Sequence, residues 1–123
     1  GLQRTGGDPN LYRRVLAAFY DHHRQDPSRL RTAAANGDEA ALRALSHQLK
    51  GVAGLIGAQA LHQTGAALLR QPALTNDTDG PTALLVALLL ELEQVLHETH
   101  STLLLAQAAP SSEAVTAVAA PGR

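Results

Sequence analysis

Apolar residues recur three and four positions apart in four stretches of this chain, and turn-forming residues separate the stretches. That period gathers side chains on one face of an α-helix and is incompatible with the two-residue alternation of a strand. Composition agrees with it. Leu (22) and Ala (23) dominate the apolar positions, whereas Tyr12, Phe19 and Tyr20 are the only Phe, Tyr or Trp residues. Helices favour such residues, and sheets favour the β-branched and aromatic ones that are scarce here. At 123 residues the chain suits one domain with one core. The expectation is an all-α fold, an antiparallel four-helix bundle with a short N-terminal extension and a flexible C-terminal tail.

The stop and start signals divide the chain. Asp8-Pro9 opens a first helix, with Asp as the cap and Pro at the first helical position, and Leu11, Val15, Leu16 and Phe19 supply its apolar face. Pro27 should break this helix near Gln25, after which a helical pattern resumes from Leu30 to Ala35 and stops at Asn36-Gly37. Asp38 caps a second helix running to Gly57, with Leu42, Leu45, Leu49, Val52 and Ile56 as its expected core face. A third helix follows from about Ala58 to Arg70. The turn residues of 72–81 predict a loop, and Pro81 is expected to open a last helix reaching about Ala106. The domain is therefore placed at 1–106, and the Ala/Pro/Ser-rich 107–123 is read as a disordered tail.

Several classes of function drop out. With no Cys there is no disulfide framework, thiolate metal site or cysteine nucleophile. The longest apolar run, Ala83 to Leu90, is eight residues, well short of the roughly 20 that span a bilayer. Residues 1–70 hold nine basic and five acidic side chains and residues 71–123 one and six. That imbalance is too mild, and the aromatics too few, for a nucleic-acid surface; it fits a local protein-docking surface. There is also no Met, from which we expect a domain of a longer polypeptide.

The second helix is the informative one. At about 100° per residue, its leucines, Val52 and Ile56 lie opposite His47, whereas Arg43, Lys50, Gly51 and Gly54 lie within roughly 60° of it. His47 is thus expected to face solvent or a partner. A surface histidine is ordinarily just that, but its neighbours are unusual. Gly51 and Gly54 each cost a helix interior roughly 1 kcal/mol relative to Ala, and on the His47 side they gain no core packing. Side chains absent from that position let another molecule approach closely. Lys50, the only Lys of the chain, sits at i+3, where its ammonium can reach an anion carried by the imidazole. Arg43, at i−4, adds positive potential.

The segment His47-Gln48-Leu49-Lys50-Gly51-Val52-Ala53-Gly54-Leu55-Ile56-Gly57-Ala58 resembles the signature of histidine-containing phosphotransfer (HPt) domains, His-x-Leu-Lys-Gly followed by Gly-Ala. Gly6-Gly7-Asp8-Pro9-Asn10-Leu11-Tyr12 with Phe19, and Gly37-Asp38, resemble the family's approach to its first long helix and to its histidine helix, so the likeness runs from about Leu2 to Leu105. The resemblance implies a phosphorelay intermediate of a two-component system. His47 would take a phosphoryl group from a receiver-domain aspartate through Nε2 and pass it to a response-regulator aspartate. Lys50 would offset charge on the phosphoryl oxygens, and Arg43, Gly51 and Gly54 would belong to the receiver-docking surface. The domain itself would need no cofactor, Mg²⁺ residing in the partner receiver. It further implies the C-terminal domain of a bacterial hybrid sensor kinase, a monomer as an isolated domain, without nucleic-acid or direct membrane contact. Its location would be the cytoplasm, any membrane tether belonging to the parent chain.

One departure concerns the polar residue on the next helix with which many members orient the histidine ring. The corresponding position holds Leu69, and Arg70 or Gln71 are the candidates to replace it. Other constellations are weaker. His97/His100 and His22-His23 lack the further ligands that zinc requires, so no metal site is expected. His62 is assigned to the exposed side of the third helix. Ser46 cannot face His47 from the adjacent position, which argues against a hydrolase. Two rival readings are a kinase dimerisation and phosphoacceptor domain, and a helical interaction module in which His47 is incidental. The first usually carries an acid after its histidine, where this chain has Gln48, and no nucleotide-binding pattern is present, so autokinase activity is not expected.

Overall fold

A computed structural model describes residues 8–76 and 80–108, with helices α1 (Pro9–His23), α2 (Asp26–Ala35), α3 (Glu39–Ile56), α4 (Gln59–Leu69) and α5 (Ala83–Ala108). The Gly6-Gly7 signal and residues 109–123 of the expected tail lie outside the described residues, whereas Gln107 and Ala108, expected to open that tail, continue α5.

Local signals set most of the boundaries. The Asp8 carboxylate accepts the Asn10 and Leu11 N–H groups at 2.9 and 3.3 Å, satisfying two of the donors that a helix start leaves open. Pro27 lies in the first turn of α2, where its missing N–H costs nothing, so the break falls at Arg24-Gln25 as expected. Gly37 adopts φ 64°, and the chain behind it closes α2 with Asp38 N–H on the Ala33 carbonyl at 2.8 Å. Gly57, at φ 79°, closes α3 in the same way, with Ala58 N–H on the Ala53 carbonyl at 2.8 Å. Both positions need the left-handed backbone that glycine adopts without strain.

Pro81 does not open the last helix. It belongs to a two-residue antiparallel ladder, Gly80–Pro81 against Thr75–Asn76, and Thr82 caps α5 by accepting the Leu85 N–H on its hydroxyl at 3.3 Å. A hydroxyl at the cap satisfies a donor that a proline cannot, so Thr82 is the cap and the first helical residue, Ala83, lies two beyond the proline.

The fold is all-α, a bundle in which α3 packs on α4, α4 on α5, and α1 and α2 together fill the corner between α3 and α5. Leu16, Phe19, Leu30, Leu42, Leu49, Ile56, Leu61, Leu68, Leu85, Leu88, Leu92 and Leu96 form its core, and Leu74 adds a fully buried plug from the loop before α5. The α1–α2 junction is tied by buried Asp26, 2.8 Å from both His23 Nδ1 and Arg29.

The buried stripe of α3 is not the expected one. Leu42, Leu49 and Ile56 are buried as expected, but Leu45 and Val52 are only half-buried, while Ser46 and Ala53 are wholly enclosed. The face has turned by roughly 40° toward α4 relative to the direction opposite His47. Small residues explain the turn. A Cβ on Gly65 of α4 would stand 3.1 Å from Lys50 Cβ and 3.6 Å from the Ser46 carbonyl oxygen, so the missing side chain lets the two helices approach closely.

Candidate functional site

His47 sits midway along α3 with an exposed side chain, and neither ring nitrogen has a hydrogen-bond partner among the described residues. One turn on, Gly51 is exposed, and a Cβ built there meets nothing within 4 Å. Lys50 is half-buried at its base and has no ion-pair partner among the described residues. An accessible imidazole therefore lies beside an unneutralised ammonium and an open stretch of helix backbone. This arrangement suits a nucleophile that must meet a large anionic partner.

The other expected site residues are placed differently. Gly54 is not an open gap: a Cβ there would come within 3.3 Å of His62 Nδ1, so its small size accommodates the His62 ring. His62 in turn is not a plain surface residue. It is half-buried and its Nδ1 lies 2.8 Å from the Lys50 carbonyl oxygen. A carbonyl only accepts, so Nδ1 carries the proton.

Arg43 is committed within the domain as well. Its guanidinium donates to the Gln71 and Leu69 carbonyls at 2.7 and 3.4 Å, capping the C-terminal end of α4, and stands 3.6 Å from Glu39. Its charge remains near His47, but its donors hold the chain as it leaves α4. Beside it, the Glu39 carboxylate accepts the Leu74 and Thr75 N–H groups, each at 2.8 Å, and the Thr75 hydroxyl at 3.3 Å. The Thr75 N–H chiefly, with Leu74, the Thr75 hydroxyl and Arg43 adding to it, outweighs burial and holds the Glu39 carboxyl below its ordinary pKa. Glu39 and Arg43 thus fasten the segment 69–75 against the start of the histidine helix.

This fastening separates the two candidates for orienting His47. Arg70 is exposed and ends α4 through its backbone. Gln71 is half-buried, its backbone is held by Arg43, and its side-chain Oε1 is buried without a hydrogen-bond partner. Leu69 is half-buried.

Of the other histidines, His23 pairs with Asp26 and His100 stacks on Tyr20 at 4.7 Å between ring centres, whereas His22 and His97 are exposed. No group of three or more His, Cys, Asp or Glu side chains that could hold a metal ion occurs among the described residues. No described helix is long and apolar enough to cross a membrane. Sequence reasoning missed His62 and Gly65. The only trace of them is a histidine eight residues after a mid-helix glycine, and a second glycine three residues further on.

A family model described as Hpt domain matches residues 14–98, a span that includes His47 and all of α3 and α4. Searches of curated proteins and of solved structures gave no significant match.

Proposed function

The chain belongs to the Hpt domain family, whose members transfer phosphoryl groups on histidine in two-component signalling, and on that premise we propose that His47 is the phosphoryl carrier between two receiver domains. The observation that carries the assignment is the exposed His47 ring with Lys50 at i+3 and the uncovered Gly51 backbone at i+4.

In the forward step the Nε2 lone pair of neutral His47 attacks phosphorus, a P–N bond forms, and the P–O bond to the receiver aspartate breaks. The aspartate leaves as carboxylate and the proton on Nδ1 stays in place. The second transfer reverses these changes on another aspartate. Attack requires the neutral imidazole, whose Nε2 lone pair is free while Nδ1 carries the proton. Lys50 offsets charge on the phosphoryl oxygens, and the open Gly51 backbone lets the receiver bring its aspartyl phosphate to the ring. Gln71, with its unpartnered Oε1 in the segment held by Arg43, is the better candidate to accept a hydrogen bond from His47 Nδ1 once a receiver docks. The protein's share of the catalysis is positioning and electrostatics, and Mg²⁺ belongs to the receiver. We place the domain as a monomer on the cytoplasmic side of signalling, as the C-terminal module of a hybrid sensor kinase.

The test is transfer of label from a phosphorylated receiver, with His47→Gln as control. Acid-labile, base-stable label on the wild type alone is expected. Label on both proteins would assign the carrier to another histidine, and label on neither, with a competent donor, would remove the reading.

A further inference from the structure

Lys50 is held from two directions by α4. Its carbonyl receives the His62 Nδ1–H at 2.8 Å, and Gly65, three residues later on the same helix, lies against its Cα and Cβ. Both contacts depend on residues that make room for them. Gly54 leaves the space that the His62 ring occupies, and Gly65 has no Cβ to push Lys50 away. The Lys50 carbonyl also accepts the helical N–H of Gly54, so the His62 bond uses its second lone pair and leaves the α3 ladder intact.

We infer that His62 is a positioning residue for Lys50: by pinning the Lys50 carbonyl, it fixes the height and rotation of the lysine base, and hence the arc its ammonium sweeps beside His47. This inference rests on the assignment of His47 as carrier and Lys50 as its charge partner. Lys has a long flexible stem and a mobile point charge, so its tip is not held by a partner of its own. What the fold can control is the backbone from which the stem departs and the side on which it lies. Gly65 closes the α4 side near Lys50 Cβ, and His62 prevents the turn Lys50–Gly54 from sliding along α4. Transition-state charge stabilisation by a single cation depends steeply on placement, so a small displacement of this turn is expected to be felt in transfer even when the bundle stays folded.

A double-mutant cycle separates this role from plain helix–helix adhesion. Transfer from a phosphorylated receiver is measured at saturating donor for wild type, His62→Leu, His62→Asn, Lys50→Met and the Lys50→Met/His62→Leu pair, with His47→Gln as the zero. The expected result is a loss of about three- to tenfold for His62→Leu. His62→Asn, whose amide can still donate to the carbonyl, should recover part of it, and His62→Leu should bring no further loss once Lys50 is Met. An equal loss in the Lys50→Met background would make His62 merely structural, and wild-type rates in His62→Leu would end the proposal while His47 remained the carrier. In parallel, the ¹⁵N shifts of His62 should report an Nδ1–H tautomer, and the Lys50 carbonyl ¹³C shift should move in His62→Leu. Absence of both would remove the contact itself, independently of any transfer. Absence of label on the wild type, with those shifts present, would instead overturn the phosphotransfer reading and the positioning role with it.

Discussion

Replacing Gly51 by Ala should stabilise the domain and slow its reaction, and this combination tests the site most sharply. Gly51 lies inside α3, and a Cβ there meets no heavy atom within 4 Å. The substitution therefore introduces no overpacking and recovers the helix-propensity difference between Gly and Ala, about 0.8–1.0 kcal/mol at an exposed interior position. For a domain of about 100 residues each kcal/mol raises Tm by roughly 4–8 °C. Thermal unfolding should show that rise. Transfer from a phosphorylated receiver should slow modestly in Gly51→Ala and severely in Gly51→Gln, because the added atoms stand where the receiver must approach. Phosphorylation by a small donor such as phosphoramidate should be nearly unchanged in both. A fall in Tm for Gly51→Ala would mean that the glycine has an intramolecular task. Receiver transfer at the wild-type rate in Gly51→Gln would show that no partner uses the open backbone.

The other two predictions concern the support of the site. Gly65→Ala should lower stability despite its propensity gain. The new Cβ would lie 3.1 Å from Lys50 Cβ and 3.4 Å from its Cα, atoms that cannot swing aside. Overpacking of about 1–3 kcal/mol against a gain of about 1 leaves a net loss near 1 kcal/mol, measurable by urea unfolding; unchanged stability would mean that α3 and α4 separate freely. Glu39→Gln should cost about 1 kcal/mol at pH 7, a value reduced for the partial exposure of the carboxylate. Because the folded pKa of Glu39 lies below its ordinary 4.5, its contribution is complete above the unfolded value and is lost as pH falls through the folded one. The stability gap between wild type and Glu39→Gln should therefore close below about pH 4.5, and a gap that stays constant to pH 3 would contradict the role of the charge.

What could be read from the sequence follows from the range of each signal. Asp8, Pro27, Gly37 and Gly57 act within a turn or two of themselves, so the ends of α1, α2 and α3 fall close to where those residues place them. Pro81 was the exception, because proline serves equally as a helix opener and as a ladder residue, and Thr82 next to it supplies the better cap. The outward direction of His47 was legible because a regular period cannot bury both the leucine stripe and the residues opposite it.

Side-chain partnerships are another matter. Gly51 and Gly54 look alike along the sequence, both mid-helix and both on the His47 side. One is open and the other is filled by a ring eight residues away on α4. Arg43 reads as a docking cation until the chain returns 26–28 residues later with unsatisfied carbonyls. The local pattern by itself determined the helices, the bundle, the exposed histidine and the lysine one turn beyond it. Only tertiary packing decided which small residue receives a neighbour, which cation is spent inside the domain and which turn His62 holds. Those outcomes depend on the distance between two helices, and no periodicity within either helix encodes that distance.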